Sequence, residues 1–107
     1  PGLETDPYYS MAQKYLPHGS CGVVSFGVKG GREAASKFMA GLKLASIATH
    51  VADAKTCVLH PATTTHRQMT DEELRAAGVS PDLVRLSVGI EDVNDILEDV
   101  EQALAQV

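Results

Sequence analysis

The spacing of apolar and polar residues along the chain predicts a small α+β domain. Four segments have the signals of helices, at 6–16, 32–42, 70–78 and 93–104. Four short runs rich in β-branched or aromatic residues are typical of strands, at 21–28, 44–49, 56–60 and 83–88. The order is helix, strand, helix, two strands, helix, strand, helix. We therefore expect a two-layer sandwich with a sheet of about four strands and helices on one of its faces.

Local signals place the ends and the apolar faces of the predicted helices. Asp6 and Pro7 are typical of an N-cap followed by proline at the first helical position. Thr70 and Glu73 have the spacing of a capping box. Three helices have an apolar face that we expect to be buried. In the helix at 6–16 this face consists of Tyr8, Met11, Ala12, Tyr15 and Leu16. In the helix at 32–42 it consists of Ala34, Ala35, Phe38, Met39 and Leu42, and in the helix at 93–104 of Val93, Ile96, Leu97, Val100 and Leu104.

The last predicted strand carries one arginine within an apolar run. Alternation puts Val84, Leu86 and Val88 on one face and Leu83, Arg85 and Ser87 on the other. We expect the apolar face to meet the helices and Arg85 to lie on the opposite face. Its guanidinium could bind a carboxylate or phosphate with two parallel hydrogen bonds. It could also be solvated, or paired with a local acid such as Glu91, and composition alone favours this second interpretation.

Composition narrows the class of protein. The 107 residues suit one domain, and an apolar content of 44% is typical of a globular protein. A net charge of −5 argues against nucleic acid or an anionic membrane as the main partner. No apolar run approaches the roughly 20 residues needed to span a bilayer. Cys21 and Cys57 have no CxxC spacing, which favours reduced thiols in a cytosolic protein.

Several polar motifs suggest chemistry, but none forms a recognisable catalytic set. Cys57, His60 and His66 could be drawn as three metal ligands, yet no fourth ligand stands at a known spacing. We therefore predict no metal site and a hydrogen-bonded loop over 60–66. His50 could be an acid–base group or an ordinary residue in the turn around Asp53 that joins the two middle strands. The glycine pair in KGGRE, 29–33, predicts a strand-to-helix turn.

Three motifs together resemble a known family. They are SFGVKGG at 25–31, HPATTTH at 60–66 and LVRLSVGIED at 83–92, and the similarity between them spans essentially the whole chain. The chain resembles the C-terminal domain of the pyridoxal-phosphate enzymes of cysteine and methionine metabolism, and is most similar to their O-acetylhomoserine sulfhydrylase branch. The resemblance implies that residues 1–107 form the substrate-binding domain of a longer enzyme. It further implies replacement of the acetate of O-acetyl-L-homoserine by sulfide or a small thiol, giving homocysteine or methionine.

The resemblance also implies roles for individual residues. Arg85 occupies the place of the family's arginine that binds the α-carboxylate of the amino-acid substrate. Thr65 matches a threonine close to that arginine and is expected to be a secondary substrate contact. His50 stands where the family commonly has serine or asparagine near the substrate carboxylate, and Ala52 replaces the glycine of the following turn. This departure is expected to mark a difference in substrate or thiol preference.

The remaining expectations concern what lies outside the chain. The family's cofactor lysine and phosphate-binding residues belong to a large domain, and the lysines of this chain do not match that lysine's context. The chain starts at Pro1 without methionine, so we expect a piece of a longer cytoplasmic enzyme. We expect pyridoxal 5′-phosphate in the full-length enzyme but not in this domain, and expect the domain alone to be inactive. The large domain and further copies, as a tetramer, are the expected partners.

Three rival functions stay open at this point. One is a methionine γ-lyase, or a cystathionine synthase or lyase, of the same superfamily. The second, from a different class, is a free-standing module that binds an amino acid or a partner protein with the same fold. The third is a small metal-binding domain that uses Cys57, His60 and His66.

Overall fold

Four helices and four strands occur in the predicted order in a computed structural model, which describes all 107 residues. The helices are α1 (Tyr9–Tyr15), α2 (Gly31–Gly41), α3 (Asp71–Ala76) and α4 (Val93–Leu104), with a 3₁₀ turn at Pro61–Thr63. The strands are β1 (Val23–Gly27), β2 (Ser46–Ile47), β3 (Cys57–Leu59) and β4 (Leu83–Ser87). None of the helices is both long and apolar enough to cross a membrane.

The strands form one mixed sheet in the order β1-β4-β3-β2. Strand β4 pairs antiparallel with both β1 and β3, whereas β2 pairs parallel with β3. In this register Arg85 lies between Ser25 of β1 and Leu59 of β3. Residues directly opposite each other project to the same face, so the two partners of Arg85 share its face. Arg85 is therefore in the interior of the sheet and not at an edge.

Helices α2 and α4 cover the face of the sheet opposite Arg85. Val84 of β4 is fully buried and Leu86 nearly so, as the alternation predicted. The core that they join consists of Val28, Ala34, Ala35, Phe38, Met39, Val58, Val84, Leu86 and Ala103. Phe26 packs edge-to-face on Phe38, with ring centroids 5.7 Å apart. The predicted arrangement of helices on one sheet face is confirmed for α2 and α4.

The predicted apolar faces of α1 and α4 are wrong in part. Val93 and Leu97 are 62% and 59% exposed, and α4 instead buries Ile96, Asp99 and Ala103. Helix α1 has no buried residue, so its apolar stripe contributes nothing to the core. It begins at Tyr9, not after Asp6. The Asp6 carboxylate accepts the Tyr8 N–H at 2.8 Å in a turn that precedes the helix.

The buried Asp99 explains why α4 turns a different face to the core than predicted. Its carboxylate accepts hydrogen bonds from backbone N–H groups there. It accepts the N–H groups of Lys43 at 2.7 Å and of Leu44 and Ala45 at 2.9 Å. These groups follow the end of α2. Burial alone would raise the pKa of Asp99, but the hydrogen bonds from Ala45, Lys43 and Leu44 outweigh burial and lower it. The ionised carboxylate thus ties α4 to the connection between α2 and β2.

The start of α2 is fixed by glycines and one arginine. Gly30 and Gly31 have positive φ angles of 110° and 74°, which confirms the predicted strand-to-helix turn. Arg32 then donates to Asp71 Oδ1 and, at 2.6 Å, to the Ala62 carbonyl. The capping box of α3 also forms as predicted. These contacts hold α2, the 3₁₀ turn and α3 together.

Replacement of Asp99 by asparagine should destabilise the fold. The new side chain would present an amide N–H₂ to donors that need an acceptor, and leaving such partly buried donors unsatisfied costs about 1–3 kcal/mol. Because the pKa of Asp99 is lowered in the folded state, the carboxylate stabilises above its unfolded pKa and this contribution is lost as the pH falls through the folded pKa. Urea unfolding at neutral and acidic pH should show a difference between wild type and Asp99→Asn that shrinks in acid.

The matched control is Asp95→Asn, one turn earlier on α4 and exposed. It should leave the unfolding midpoint nearly unchanged. Equal stability of the wild type and Asp99→Asn at neutral pH would contradict the assigned role.

Candidate functional site

The loop between β2 and β3, residues 48–56, covers part of the sheet face that carries Arg85. Since β2 and β3 are parallel, the chain must return along the sheet before it enters β3. The predicted simple turn around Asp53 is therefore wrong, and strand β2 is only two residues long. Ala52 N–H donates to Ser87 Oγ at 3.0 Å, which seats the loop on β4. The topology thus places residues 49–55 beside Arg85.

Arg85 is partly buried and has no anionic partner. Its Nη2 donates to the Thr49 carbonyl at 2.9 Å. Its Nε is buried and makes no hydrogen bond. The three ion pairs of the protein, Pro1 with Asp6, Arg32 with Asp71 and Lys37 with Glu33, do not include it. A guanidinium has five N–H donors, so this group retains the capacity to bind an anion.

Glu91, the acid considered as a partner for Arg85, is engaged by Thr56. Its two carboxylate oxygens accept the Thr56 backbone N–H and hydroxyl, each at 2.7 Å. The backbone N–H and then the hydroxyl of Thr56 lower the pKa of Glu91, which favours the ionised form. The alternative of a local Arg85–Glu91 pair is therefore wrong. Glu91 instead fixes the point at which the loop enters β3.

Only glycine fits at position 89, because the segment after β4 packs closely against the end of the loop at residues 54–56. A Cβ atom at this position would lie 2.5 Å from the Thr56 nitrogen and would also collide with the Ala54 carbonyl. The Gly89 N–H donates to Thr56 Oγ1 at 2.9 Å, and Ile90 N–H donates to Ala54 O at 2.9 Å. The segment after β4 therefore lies directly on the loop and holds it from one side.

The other two predicted substrate contacts lie in exposed positions. Thr65 Oγ1 is 2.8 Å from His66 Nδ1 and makes no hydrogen bond to Arg85. His50 follows Thr49, the residue whose carbonyl contacts Arg85, and its side chain is exposed. The structure thus brings His50, but not Thr65, into the loop next to Arg85. Their roles as substrate contacts stay predictions.

The threonine loop, residues 60–66, is structural as predicted. His60 is fully buried, with Nε2 2.8 Å from the Pro81 carbonyl and Nδ1 3.0 Å from Thr63 Oγ1. Because a carbonyl only accepts, Nε2 carries the proton. Thr64 Oγ1 donates to the His60 carbonyl at 2.8 Å. Both ring nitrogens of His60 are occupied, so Cys57, His60 and His66 do not form a three-ligand set.

The residues of this chain do not fit a pyridoxal-phosphate site. Covalent attachment of that cofactor needs a lysine amine in an enclosed site with donors for its phosphate. Every lysine of the chain is exposed. Lys43 lines a concavity together with Asp95, Glu98 and Asp99, and these carboxylates would repel a phosphate. Chemistry that depends on the cofactor is therefore not assigned to these residues.

Sequence reasoning identified Arg85 but missed the groups that position it. Thr49 contributes a backbone carbonyl, which leaves no signal in the side-chain pattern. Thr56 and Glu91 are 35 positions apart in sequence, so their pairing depends on the tertiary fold. A signal did exist for Asp99, since it stands between Ile96 and Val100 on the side of α4 that turns inward.

Comparison with known proteins identifies relatives over the whole chain. Residues 1–105 match the family model described as Cys/Met metabolism PLP-dependent enzyme. An O-acetyl-L-homoserine sulfhydrylase from Leptospira meyeri is 50% identical, over 100% of this chain and 24% of that protein. An L-methionine γ-lyase from Fusobacterium nucleatum subsp. nucleatum is 45% identical, over 100% of this chain and 27% of that protein. The chain thus spans about a quarter of the length of the curated relatives it matches.

A solved structure supports the same relationship. The crystal structure of a proposed O-acetylhomoserine (thiol)-lyase from Campylobacter jejuni, which contains N′-pyridoxyl-lysine-5′-monophosphate, matches with a TM-score of 0.84 and 34% identity. The match covers 98% of this chain and 25% of that one. The agreement therefore extends over the whole fold described above.

Replacement of Glu91 by glutamine should loosen the loop beside Arg85. The amide retains only one acceptor oxygen for the two Thr56 donors, so the Thr56 and Gly89 N–H groups should exchange with solvent faster. Because the pKa of Glu91 is lowered in the folded state, acid should loosen the wild-type loop in the same way as the pH falls through that pKa. Hydrogen exchange measured by NMR or mass spectrometry checks both effects.

Glu98→Gln is the control, because Glu98 is exposed and its side chain takes part in no hydrogen bond or ion pair. It should not change exchange in the loop. Unchanged protection of Thr56 in Glu91→Gln would refute the role given to Glu91.

Proposed function

The chain belongs to the Cys/Met metabolism PLP-dependent enzyme family, and we propose that it is the substrate-binding domain of an O-acetyl-L-homoserine sulfhydrylase. The observation that carries the proposal is the state of Arg85. Its guanidinium is partly buried, has no anionic partner and keeps a buried Nε without a hydrogen bond. An α-carboxylate would supply the missing charge and would be reached by the guanidinium through its accessible Nη atoms. The similarity to a sulfhydrylase at 50% identity supports this choice of reaction.

The proposed reaction replaces the acetate of O-acetyl-L-homoserine with sulfide or a small thiol, giving homocysteine or methionine. Pyridoxal phosphate, when bound, supplies the electron sink that this class of chemistry requires. Since no residue of this chain fits the cofactor, the contribution of the chain is to hold the substrate. A carboxylate fixed at Arg85 sets the orientation of the amino acid before it reacts.

The surroundings of Arg85 suit this task. The Thr49 carbonyl restrains one end of the guanidinium through Nη2 at 2.9 Å, which leaves Nη1 and the second proton of Nη2 for other acceptors. Carboxylates bind arginine best through two parallel N–H donors, and such charge-assisted hydrogen bonds are stronger than neutral ones. The Glu91–Thr56 contacts keep the Thr49 carbonyl in place by fixing the far end of the loop. Support of this kind determines how accurately a binding group is positioned.

The proposal also includes the place of this chain in the longer enzyme. We infer that this chain is the C-terminal part of the longer enzyme, and that its Arg85 face meets a cofactor-binding domain outside these residues. Ser25 on that face is exposed and would contribute to the contact. His50 and Thr65 are proposed as secondary contacts to the substrate. A cytoplasmic tetramer is the proposed state of the full-length enzyme.

A methionine γ-lyase is the second candidate function, favoured by the 45% identity to a protein of that name. Both activities use an amino-acid substrate with an α-carboxylate, so Arg85 would have the same role in each. The two are distinguished with the full-length protein. A sulfhydrylase forms homocysteine from O-acetyl-L-homoserine and sulfide, whereas a γ-lyase releases 2-oxobutyrate from methionine.

Replacement of Arg85 by alanine in the full-length protein should weaken substrate binding without loss of the cofactor. Each hydrogen bond to a charged group contributes about 1.5–3 kcal/mol. Loss of even one therefore predicts a decrease in kcat/KM of roughly 10- to 150-fold, mainly through KM. Steady-state kinetics together with the cofactor's absorbance spectrum measure the two effects separately. Arg85→Lys keeps the charge but not the planar pair of donors, so it should recover only part of the loss.

Arg67→Ala is the matched control, since Arg67 is an exposed arginine of the same chain, and its kinetics should equal those of the wild type. An Arg85→Ala enzyme that loses its cofactor but has an unchanged KM would contradict the proposal.

A further inference from the structure

Three side chains with metal-binding atoms meet in the loop beside Arg85. The ligand atoms of His50, Asp53 and Cys57 all lie within 4.8 Å of one another. None of the three residues takes part in an ion pair. We propose that this group, hereafter the loop triad, binds one zinc-like divalent transition metal ion.

The donor types favour zinc over the alkaline-earth ions. The loop triad offers one imidazole nitrogen, one carboxylate oxygen and one thiolate sulfur, all of which are zinc ligands. Magnesium and calcium prefer sites made entirely of oxygen. With the thiol deprotonated, the triad has a charge of −2, which a divalent ion neutralises. A fourth, open position would be filled by water, as is typical of sites with three protein ligands.

The distances between the three ligand atoms of the loop triad are near those of a metal site, and small side-chain movements would shorten them. Zinc–ligand distances of about 2.0–2.3 Å imply ligand atoms about 3.3–3.8 Å apart in a tetrahedron. Cys57 is fixed on β3 and buried, whereas His50 and Asp53 are exposed and have only one side-chain hydrogen bond between them, from the Lys55 N–H to Asp53. A movement of about 1 Å by the two exposed side chains therefore completes the geometry.

The competing interactions of the loop triad are with the backbone only. Cys57 Sγ donates to the Lys55 carbonyl at 3.3 Å, and Asp53 Oδ1 accepts the Lys55 N–H at 3.1 Å. The loop that carries His50 and Asp53 is already held on the sheet by the hydrogen bond from Ala52 to Ser87. The three ligands are therefore brought together before a metal binds, which lowers the entropy lost on binding.

The contrast with the other thiol and histidines makes the site specific. Cys21 is exposed, and the hydrogen bonds of its Sγ are with the Val23 backbone. His60 has both ring nitrogens occupied and His66 pairs with Thr65. The metal set considered from sequence, with Cys57, His60 and His66, is thus replaced by a different set that shares only the cysteine.

The test measures zinc and cobalt binding by the full-length protein. The protein is stripped with a chelator, reloaded with Zn²⁺ and analysed for bound zinc by mass spectrometry. Co²⁺ is then substituted, because a thiolate ligand gives a charge-transfer absorption band that oxygen and nitrogen ligands do not. The variants are Cys57→Ala and Asp53→Asn, with Cys21→Ser and His66→Gln as matched controls.

The wild type and both controls should bind one zinc ion more per chain than Cys57→Ala, and only Cys57→Ala should lose the thiolate–cobalt band. Asp53→Asn should weaken zinc binding by more than the roughly 10- to 100-fold that loss of an outer-shell partner causes. Equal zinc content in the wild type and Cys57→Ala, or no thiolate–cobalt band in the wild type, overturns the proposal. If Cys57→Ala does not fold, unchanged zinc affinity in Asp53→Asn overturns it. None of these results depends on the function of Arg85, and a zinc-bound His50 would replace the direct substrate contact proposed for that residue above.

Discussion

A partly buried cation without an anion is the feature around which this domain is organised. Arg85 lies on the central strand β4 with β1 on one side and β3 on the other, so its side chain cannot leave the sheet face by moving to an edge. Removal of a charge from water is unfavourable unless a partner compensates it. Within the domain the compensation is one backbone carbonyl, that of Thr49. An arginine whose charge is not balanced within the domain has the capacity to bind an external carboxylate. The surrounding contacts hold its guanidinium in place.

Two carboxylates on the last third of the chain determine where that surrounding structure lies. Glu91 accepts hydrogen bonds from the backbone N–H and the hydroxyl of Thr56. Asp99 accepts hydrogen bonds from the three backbone N–H groups that follow α2. The first fixes the end of the loop beside Arg85, and the second fixes the connection that leads to β2 and hence to the start of that loop. Since both pKa values are lowered in the folded state, both anchors persist at neutral pH and weaken only in acid.

Local patterns predicted the elements well, but neither of these two anchors was predicted from them. The alternation in β4 placed Arg85 opposite the helices, and the capping box located α3, because both signals depend on neighbouring residues. The face of α4 was predicted from apolar residues alone and was wrong in part, because the helix buries Asp99 and leaves Val93 and Leu97 exposed. The parallel pairing of β2 with β3, and hence the course of the loop over Arg85, depends on tertiary contacts that a two-residue strand does not encode. The resemblance to the family suggested the role proposed for Arg85, which the local pattern had left open.

The central claim is that Arg85 binds the α-carboxylate of the substrate, and a crystal structure of the full-length protein with an unreactive analogue of O-acetyl-L-homoserine tests it most directly. The account predicts that the carboxylate oxygens of the analogue lie within hydrogen-bond distance of the Arg85 guanidinium, while the Thr49 carbonyl keeps its contact with Nη2. A carboxylate bound elsewhere, with Arg85 instead paired to an acidic residue from the rest of the protein, would contradict it.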